Sequence, residues 1–242
     1  MKLTIAGYGF VGKAHHELLK HYDITIYDPA QGYTDFGTPE GVLVCVSTPQ
    51  ADDGTCDMSN VESVIRMTPP RTPILIKSTI SLEGWDHIQS QVPDREICFS
   101  PEFLRAKTAV QDLKDAKELY IGGKGIDFWK WVIQKPTVEM DPRALVLAKY
   151  FRNSFLALKV SFFNQMFDLC GATDIDYESV RKAVTADDRI KESHTWITDE
   201  RGFGGHCFPK DTSAIVKTAD NNKVDLTLLK TALEYNNIIQ SL

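Results

Sequence analysis

The sequence predicts an α/β domain built on a parallel sheet, residues 1–140, followed by a mainly helical domain, residues 141–242. Three observations lead there. Short apolar runs recur through the first half with helix-like or polar segments between them, the pattern of strands joined by crossovers. From Pro142 to Cys170 the helical periodicity is unbroken. And 242 residues, 43% hydrophobic and 25% charged, hold enough apolar material for one or two folded domains, which excludes disordered and fibrous classes.

In chain order, KLTIA (2–6) is the first strand and GYGFVG (7–12) a glycine-rich turn. The helix that follows is marked by the spacing of Val11, Ala14, Leu18 and Leu19, with His15 and His16 expected on its surface. DITIYD (23–28) is the second strand, and GVLVCVS, PILIKST, EICFS and ELYIGG supply four more, the α/β pattern holding over roughly the first 125 residues. Asp141 suits an N-cap and Pro142 the first position of the long helix. Shorter helices are expected over Tyr177–Val184, over Pro209–Ala219 and from Asp225 to the end. Internal repeats and low-complexity tracts are absent.

Charge narrows the partners. Lys and Arg total 27 against 33 Asp and Glu, a formal charge of −6 with no basic cluster, so neither nucleic acid nor an anionic membrane is expected to bind. The longest apolar stretches, Val42–Val46 and Phe155–Phe163 with Lys159 inside it, fall short of the roughly 20 residues that cross a bilayer. The N-terminal run is too short for a secretory signal, which gives the expectation of a cytoplasmic protein. Five cysteines without a CxxC pair fit reduced thiols better than a disulfide framework or a zinc site, and no metal is expected.

Gly7, Gly9 and Gly12 match G-x-G-x-x-G, a weak pattern alone that gains weight from its setting. The glycines follow a strand, open a helix and precede a second strand ending at Asp28, 21 residues beyond Gly7, where a carboxylate binds the adenosine ribose. Gly7 permits the tight turn, Gly9 lets the backbone approach a pyrophosphate, Gly12 lets helix and strand pack, and the helix N-terminus offers free N–H groups to the anion. This is a Rossmann dinucleotide-binding pattern. With no Arg or Lys between Asp28 and Glu40 to meet a 2′-phosphate, NAD is expected over NADP.

GFGGHCFPKD (202–211), SPEFLR (100–105) and KYFRNSFLALKVSFFNQ (149–165), in that family's order behind the glycine turn, resemble the UDP-glucose/GDP-mannose dehydrogenase family. The resemblance runs from Met1 to about Leu242 and covers the family's NAD-binding and central helical domains. The family's usual third lobe, which grips the nucleotide of the sugar, has no counterpart here, so weak discrimination between UDP and GDP sugars is expected. The resemblance implies NAD-dependent oxidation of a nucleotide sugar, UDP-glucose to UDP-glucuronate first among them, through a cysteine thiohemiacetal and thioester. It also implies a homodimer made through the family's long central helix, whose start the helix from Asp225 matches, with Leu226, Leu229, Leu233 and Ile238 as its apolar stripe.

Residue by residue, the resemblance makes Cys207 the nucleophile; a place near the helix N-terminus and beside Lys210 favours its thiolate. Cys45 and Cys98, inside strand patterns, read as small buried hydrophobes. Lys149 and Asn153, four apart on a helix, can reach one oxygen together, and the resemblance makes them the holders of the oxyanion at C6. Without it, Lys149 reads as part of a solvated face. Asn164, four turns beyond Lys149, reads as a packing residue.

Asp211 corresponds to an aspartate that moves protons with a bound water, or stabilises a first helical turn. Glu102 corresponds to a glutamate assisting thioester hydrolysis and Thr79 to a threonine beside the nicotinamide, with a strand-end carboxylate and a capping hydroxyl as the alternatives. The resemblance further places Phe10, Val11, Ser47, Thr48, Pro49 and Lys210 at the cofactor, and Phe103, Leu104, Gly204, Gly205 and Phe208 at the substrate.

Departures count as well. Ala106 and Lys107 stand where the family's FLREG motif continues, so a glutamate near the cofactor is absent. His206 is similar to the branch acting on UDP-N-acetylhexosamines, while FPKD points to glucose. Two other functions stay open at this point: a nucleotide-binding partner or inactive homologue that keeps the motifs without turnover, and a two-domain hydroxy-acid dehydrogenase, which needs no nucleophilic cysteine.

Overall fold

The computed structural model describes residues 1–51, 53–205 and 207–241. Two compact units divide the chain, Met1–Lys149 and Tyr150–Leu242.

The first unit is a seven-stranded sheet in the order β2-β1-β3-β4-β5-β6-β7. Its strands are β1 (Lys2–Ala6), β2 (Asp23–Tyr27), β3 (Gly41–Val44), β4 (Ile74–Ile76), β5 (Ile97–Phe99), β6 (Leu119–Gly123) and β7 (Thr137–Glu139). Helices α1 (Phe10–Leu19), α2 (Ser59–Met67), α3 (Leu82–Gln91), α4 (Ala109–Asp115) and α5 (Ile126–Ile133) link them. β1 pairs in parallel with both β2 and β3, so the strand order reverses there and opens the crevice at the strands' C-terminal ends where α/β sheets bind ligands. The central strands are buried on both faces, as their unbroken Val, Leu and Ile content requires, and Leu3, Ile5, Leu43, Leu75 and Trp129 form the core.

The sheet departs from the expected all-parallel pattern at one seam. β6 runs antiparallel to β5, with Gly123 opposite Cys98, and β7 then adds in parallel to β6. Gly123 sits at φ 118°, and a Cβ on it would lie 2.3 Å from the Ile97 carbonyl oxygen, so glycine is what lets the two backbones close. Hydrophobic runs mark a strand without stating its direction. β7, three residues of TVE, is too short and polar to stand out in the sequence.

Helix α6 (Pro142–Ala172) begins in the first unit, where Asp141 Oδ1 accepts the Arg143 N–H at 2.7 Å, the expected cap. The second unit continues it and adds α7 (Tyr177–Thr185), α8 (Phe208–Asn221) and α9 (Thr227–Ile239). α8 packs on α9, and α8 starts one residue before the expected Pro209, which makes Cys207 its N-cap residue.

Candidate functional site

The glycine turn sits at the reversal point of the sheet. Gly7, at φ 92°, donates its N–H to Tyr27 O at 2.8 Å, and a Cβ on it would lie 2.4 Å from Cys45 O. A Cβ on Gly12 would meet Gly7 O at 2.0 Å, so the first turn of α1 packs against its own entry turn only because Gly12 lacks a side chain. Gly9 faces open space, with no heavy atom within 4 Å of where its Cβ would be. Phe10 and Val11 are the first residues of α1 and half-buried. Asp28 follows β2; its Oδ2 accepts from Tyr8 N at 2.7 Å and from Gln31 Nε2 at 2.8 Å.

Beyond β3, the Thr48 hydroxyl donates to Thr79 O at 2.7 Å and ties the Ser47–Pro49 segment to the one that leaves β4. Ser47 and Pro49 are exposed and Thr79 is half-buried.

His15 departs from expectation. It is fully buried, with Nδ1 hydrogen-bonded to Val11 O at 2.9 Å. Burial, with Lys77 nearby, pushes its pKa down to about 3, so the ring is neutral. The apolar spacing of α1 places position 15 beside Ala14 and Leu19 on the buried face. His16 is half-buried and its Nδ1 shares a hydrogen bond with the Tyr8 hydroxyl at 2.7 Å.

Glu102 and Lys149 meet inside the first unit. Lys149 Nζ donates to Glu102 Oε1 at 2.8 Å and to the Glu102 carbonyl oxygen at 2.7 Å, and lies 5.8 Å from the centre of the Phe103 ring. Leu104 N donates to Glu102 Oε2 at 2.7 Å. At 3% exposure Lys149 belongs to no solvated face. Lys77, which sequence reasoning passed over, is buried and donates to Ser100 Oγ at 2.9 Å, two residues before Glu102; burial pushes its pKa down to about 8. Arg105 reaches away to make a two-bond pair with Asp112, at 3.1 Å from Nε and 2.6 Å from Nη2.

The second unit holds the other motif. Asp211 is fully buried; Asn153 Nδ2 donates to its Oδ2 at 2.6 Å and Lys210 Nζ to its Oδ1 at 2.6 Å. Its own N–H donates to Cys207 O at 2.8 Å, closing the first turn of α8. Cys207 and Phe208 are half-buried at the head of that helix, and Gly204 and Gly205 before them are exposed. His206 lies outside the described residues. Lys149 and Asn153 thus each have a partner of their own, Glu102 and Asp211.

Asn236 and Asn164 hold this glycine loop. Asn236 on α9 accepts from Phe203 N at 2.6 Å and donates to Phe203 O at 3.0 Å, and Asn164 Oδ1 takes Arg201 Nε at 2.9 Å and Gly202 N at 3.2 Å. Asn164 is the packing residue its place on α6 suggests. Asn236 carries no motif that would reveal it.

None of the cysteines is in a disulfide. Burial pushes the Cys45 and Cys98 thiols up to about 12, so neither supplies thiolate at neutral pH. Among the described residues there is no cluster of three or more His, Cys, Asp or Glu that could hold a metal, and no helix long and apolar enough to cross a membrane.

Residues 34–130 match the NAD binding domain of the UDP-glucose/GDP-mannose dehydrogenase family, and residues 144–238 match its central domain. The UDP-glucose 6-dehydrogenase of Rhizobium meliloti is 28% identical, the match covering 98% of this chain and 67% of that protein. UDP-glucose 6-dehydrogenase YwqF of Bacillus subtilis is also 28% identical, over 83% of this chain and 49% of its own length. Among solved structures, a UDP-glucose dehydrogenase from Pyrobaculum islandicum superposes with a TM-score of 0.79 at 26% identity, covering 98% of this chain and 68% of that one. A UDP-D-ManNAc dehydrogenase from Pyrococcus horikoshii gives 0.82 at 19% identity, over 99% and 69%, a likeness of fold. The chain therefore spans between half and two thirds of the length of such relatives.

Proposed function

Since the chain belongs to the UDP-glucose/GDP-mannose dehydrogenase family, we propose that it oxidises the C6 alcohol of a nucleotide sugar, UDP-glucose to UDP-glucuronate, with two molecules of NAD and a covalent intermediate on Cys207. The observation that carries this reading is Cys207 at the N-terminus of α8 with the buried carboxylate of Asp211 one turn further on.

The first unit suits NAD. Gly9 leaves open the space that a pyrophosphate needs, the N-terminus of α1 beside it supplies N–H groups for an anion, and Asp28 Oδ1 accepts no bond from any described residue, which leaves it for the ribose. NAD, when bound, takes a hydride in each of the two oxidations. Ser47, Thr48, Pro49 and Thr79, on the segments leaving β3 and β4, line the crevice, and Lys210 adds a cation for the cofactor.

The chain's own groups do the rest. Asn153 and Lys149 stabilise negative charge on the C6 oxygen. Asp211, hydrogen-bonded by Lys210 and Asn153, takes the alcohol proton through a water. The Cys207 thiolate adds to the C6 aldehyde to give a thiohemiacetal; the second oxidation leaves a thioester; and water, assisted by Glu102, cleaves it to the carboxylate and restores the thiol. Phe103, Leu104, Gly204, Gly205 and Phe208 contact the sugar.

The protein acts as a homodimer in a thiol-reducing compartment, the cytoplasm, which suits a nucleophilic cysteine. Support for the dimer comes from α6, where Phe151, Phe155, Phe162 and Leu169 are each more than half exposed and fall on one helical face. The test is a panel of UDP- and GDP-sugars assayed for NADH: two NADH per UDP-glucose with a carboxylate product is expected. No NADH with any sugar, alongside normal NAD binding, overturns the reading in favour of a nucleotide-binding partner.

A further inference from the structure

Tyr33 is 43% exposed, yet its backbone is tied down by a bridge outside the sheet. Asp28 and Tyr33 form an antiparallel bridge in which Asp28 N donates to Tyr33 O at 2.8 Å and Tyr33 N to Asp28 O at 3.1 Å. A pair that exchanges both bonds stands with its Cα atoms about 5.5 Å apart and its side chains on one face. The residues between them make a single tight turn, with Pro29 at its start and Gly32 at φ 85° at its end. Neither residue of the pair can drift from the other.

Tyr8, the second residue of the glycine turn, buttresses the pair. Its N–H is bonded to Asp28 Oδ2, and its ring meets the Tyr33 ring edge-on, with centres 5.6 Å apart and planes at 73°. The Tyr8 ring is in turn fixed by the hydrogen bond between its hydroxyl and His16 and by Lys13 Nζ, 5.6 Å from its centre. A scattered exposed aromatic needs no explanation. This one is braced by a backbone bridge and a second ring, beside the carboxylate oxygen left open to a ribose.

We infer that Tyr33 is the platform on which the adenine of NAD stacks, an inference that rests on the NAD reading of the glycine turn. A ribose whose hydroxyls bond Asp28 Oδ1 carries its base on C1′, the carbon next to the one bearing the 2′-hydroxyl. The base is then within reach of whatever neighbours Asp28 on the same face, and that neighbour is a partly exposed aromatic ring. Adenine is a flat π system that stacks on such a ring without needing a hydrogen-bond donor. The pairing divides the work: the carboxylate takes the sugar and the ring takes the base.

Titration calorimetry with NAD and with ADP-ribose tests it on the wild type, Tyr33→Ala and Tyr33→Phe. Tyr33→Ala should weaken both ligands by about tenfold or more, the scale of a lost base stack, and Tyr33→Phe should bind both like the wild type. Should the alanine variant melt early, Tyr33→Leu, which keeps apolar cover over Tyr8, carries the same comparison and should also bind more weakly. ADP-ribose affinity within twofold of wild type in a folded Ala or Leu variant overturns the proposal, as does a Phe variant as weak as Ala. No turnover is read, so failure of the proposed oxidation would leave these titrations intact. A wild-type chain that bound neither ligand would overturn the cofactor reading and this proposal with it.

Discussion

Asn153 donates its side-chain amide to Asp211 at 2.6 Å, tying α6 to the first turn of α8 within the second unit. With Lys210 on the other oxygen, the fully buried carboxylate has one rigid seat. A hydrogen bond to a charged group contributes about 1.5–3 kcal/mol. Asn153→Ala is therefore expected to lower stability by roughly that amount, read by urea titration, and to reduce kcat by about 100-fold with little change in KM. A variant with near-normal kcat would assign Asn153 to structure alone.

Cys207 is expected to be the first thiol to react. Iodoacetamide followed by peptide mapping should label it ahead of Cys45 and Cys98, whose thiols burial pushes to about 12. Cys207→Ser should abolish acid formation, because an alkoxide leaves too poorly to replace the thiolate. Labelling of Cys45 first would contradict the assignment of the nucleophile.

His15 makes the first unit sensitive to acid. Its pKa is about 3 in the fold against about 6.5 in an unfolded chain, so between these values the unfolded state binds a proton that the folded state refuses. The contribution to stability is whole above pH 6.5 and falls as the pH drops towards 3, by up to about 1.4 kcal/mol per unit. Urea midpoints measured from pH 7 to pH 4 should fall steeply for the wild type and less steeply for His15→Gln. Parallel curves would show that another group governs the acid limb.

The dimer reading puts the interface on the exposed aromatic face of α6. Phe155→Glu places a charge in the middle of that face and should convert a dimer to a monomer by light scattering, with a helical circular dichroism signal unchanged. A monomeric wild type would overturn the dimer reading.

Sequence and structure agree where one local pattern decides the outcome. The turn from Gly7 to Gly12 is dictated by close approaches that only glycine allows, and the α6 cap by Asp141 and Pro142. They part where the outcome depends on what lies across the fold. Burial of His15 and Lys149 comes from the neighbours their faces meet, which spacing alone does not name. The reversal at β6 lies in the path of the chain after β5, and apolar runs carry no direction. Asn236 is 33 residues from Phe203, the residue it holds, and an asparagine in a helix has no pattern that announces such a partner. Tyr33 has meaning only beside Asp28, a proximity created by the bridge.

The buried lysine behind the Glu102 loop leaves the first unit with an odd ledger of charge. Lys77 and Lys149 are two ammonium groups against the single carboxylate of Glu102, with His15 and Cys45 neutral around them. Below pH 8 or so Lys77 holds its proton, and at 1% exposure that charge stands apart from the solvent's mobile ions. Surface fields are blunted by salt over about 10 Å at 0.1 M, whereas buried charges are screened far less. Any pull this interior exerts on a transient negative charge beside it would persist in concentrated brine.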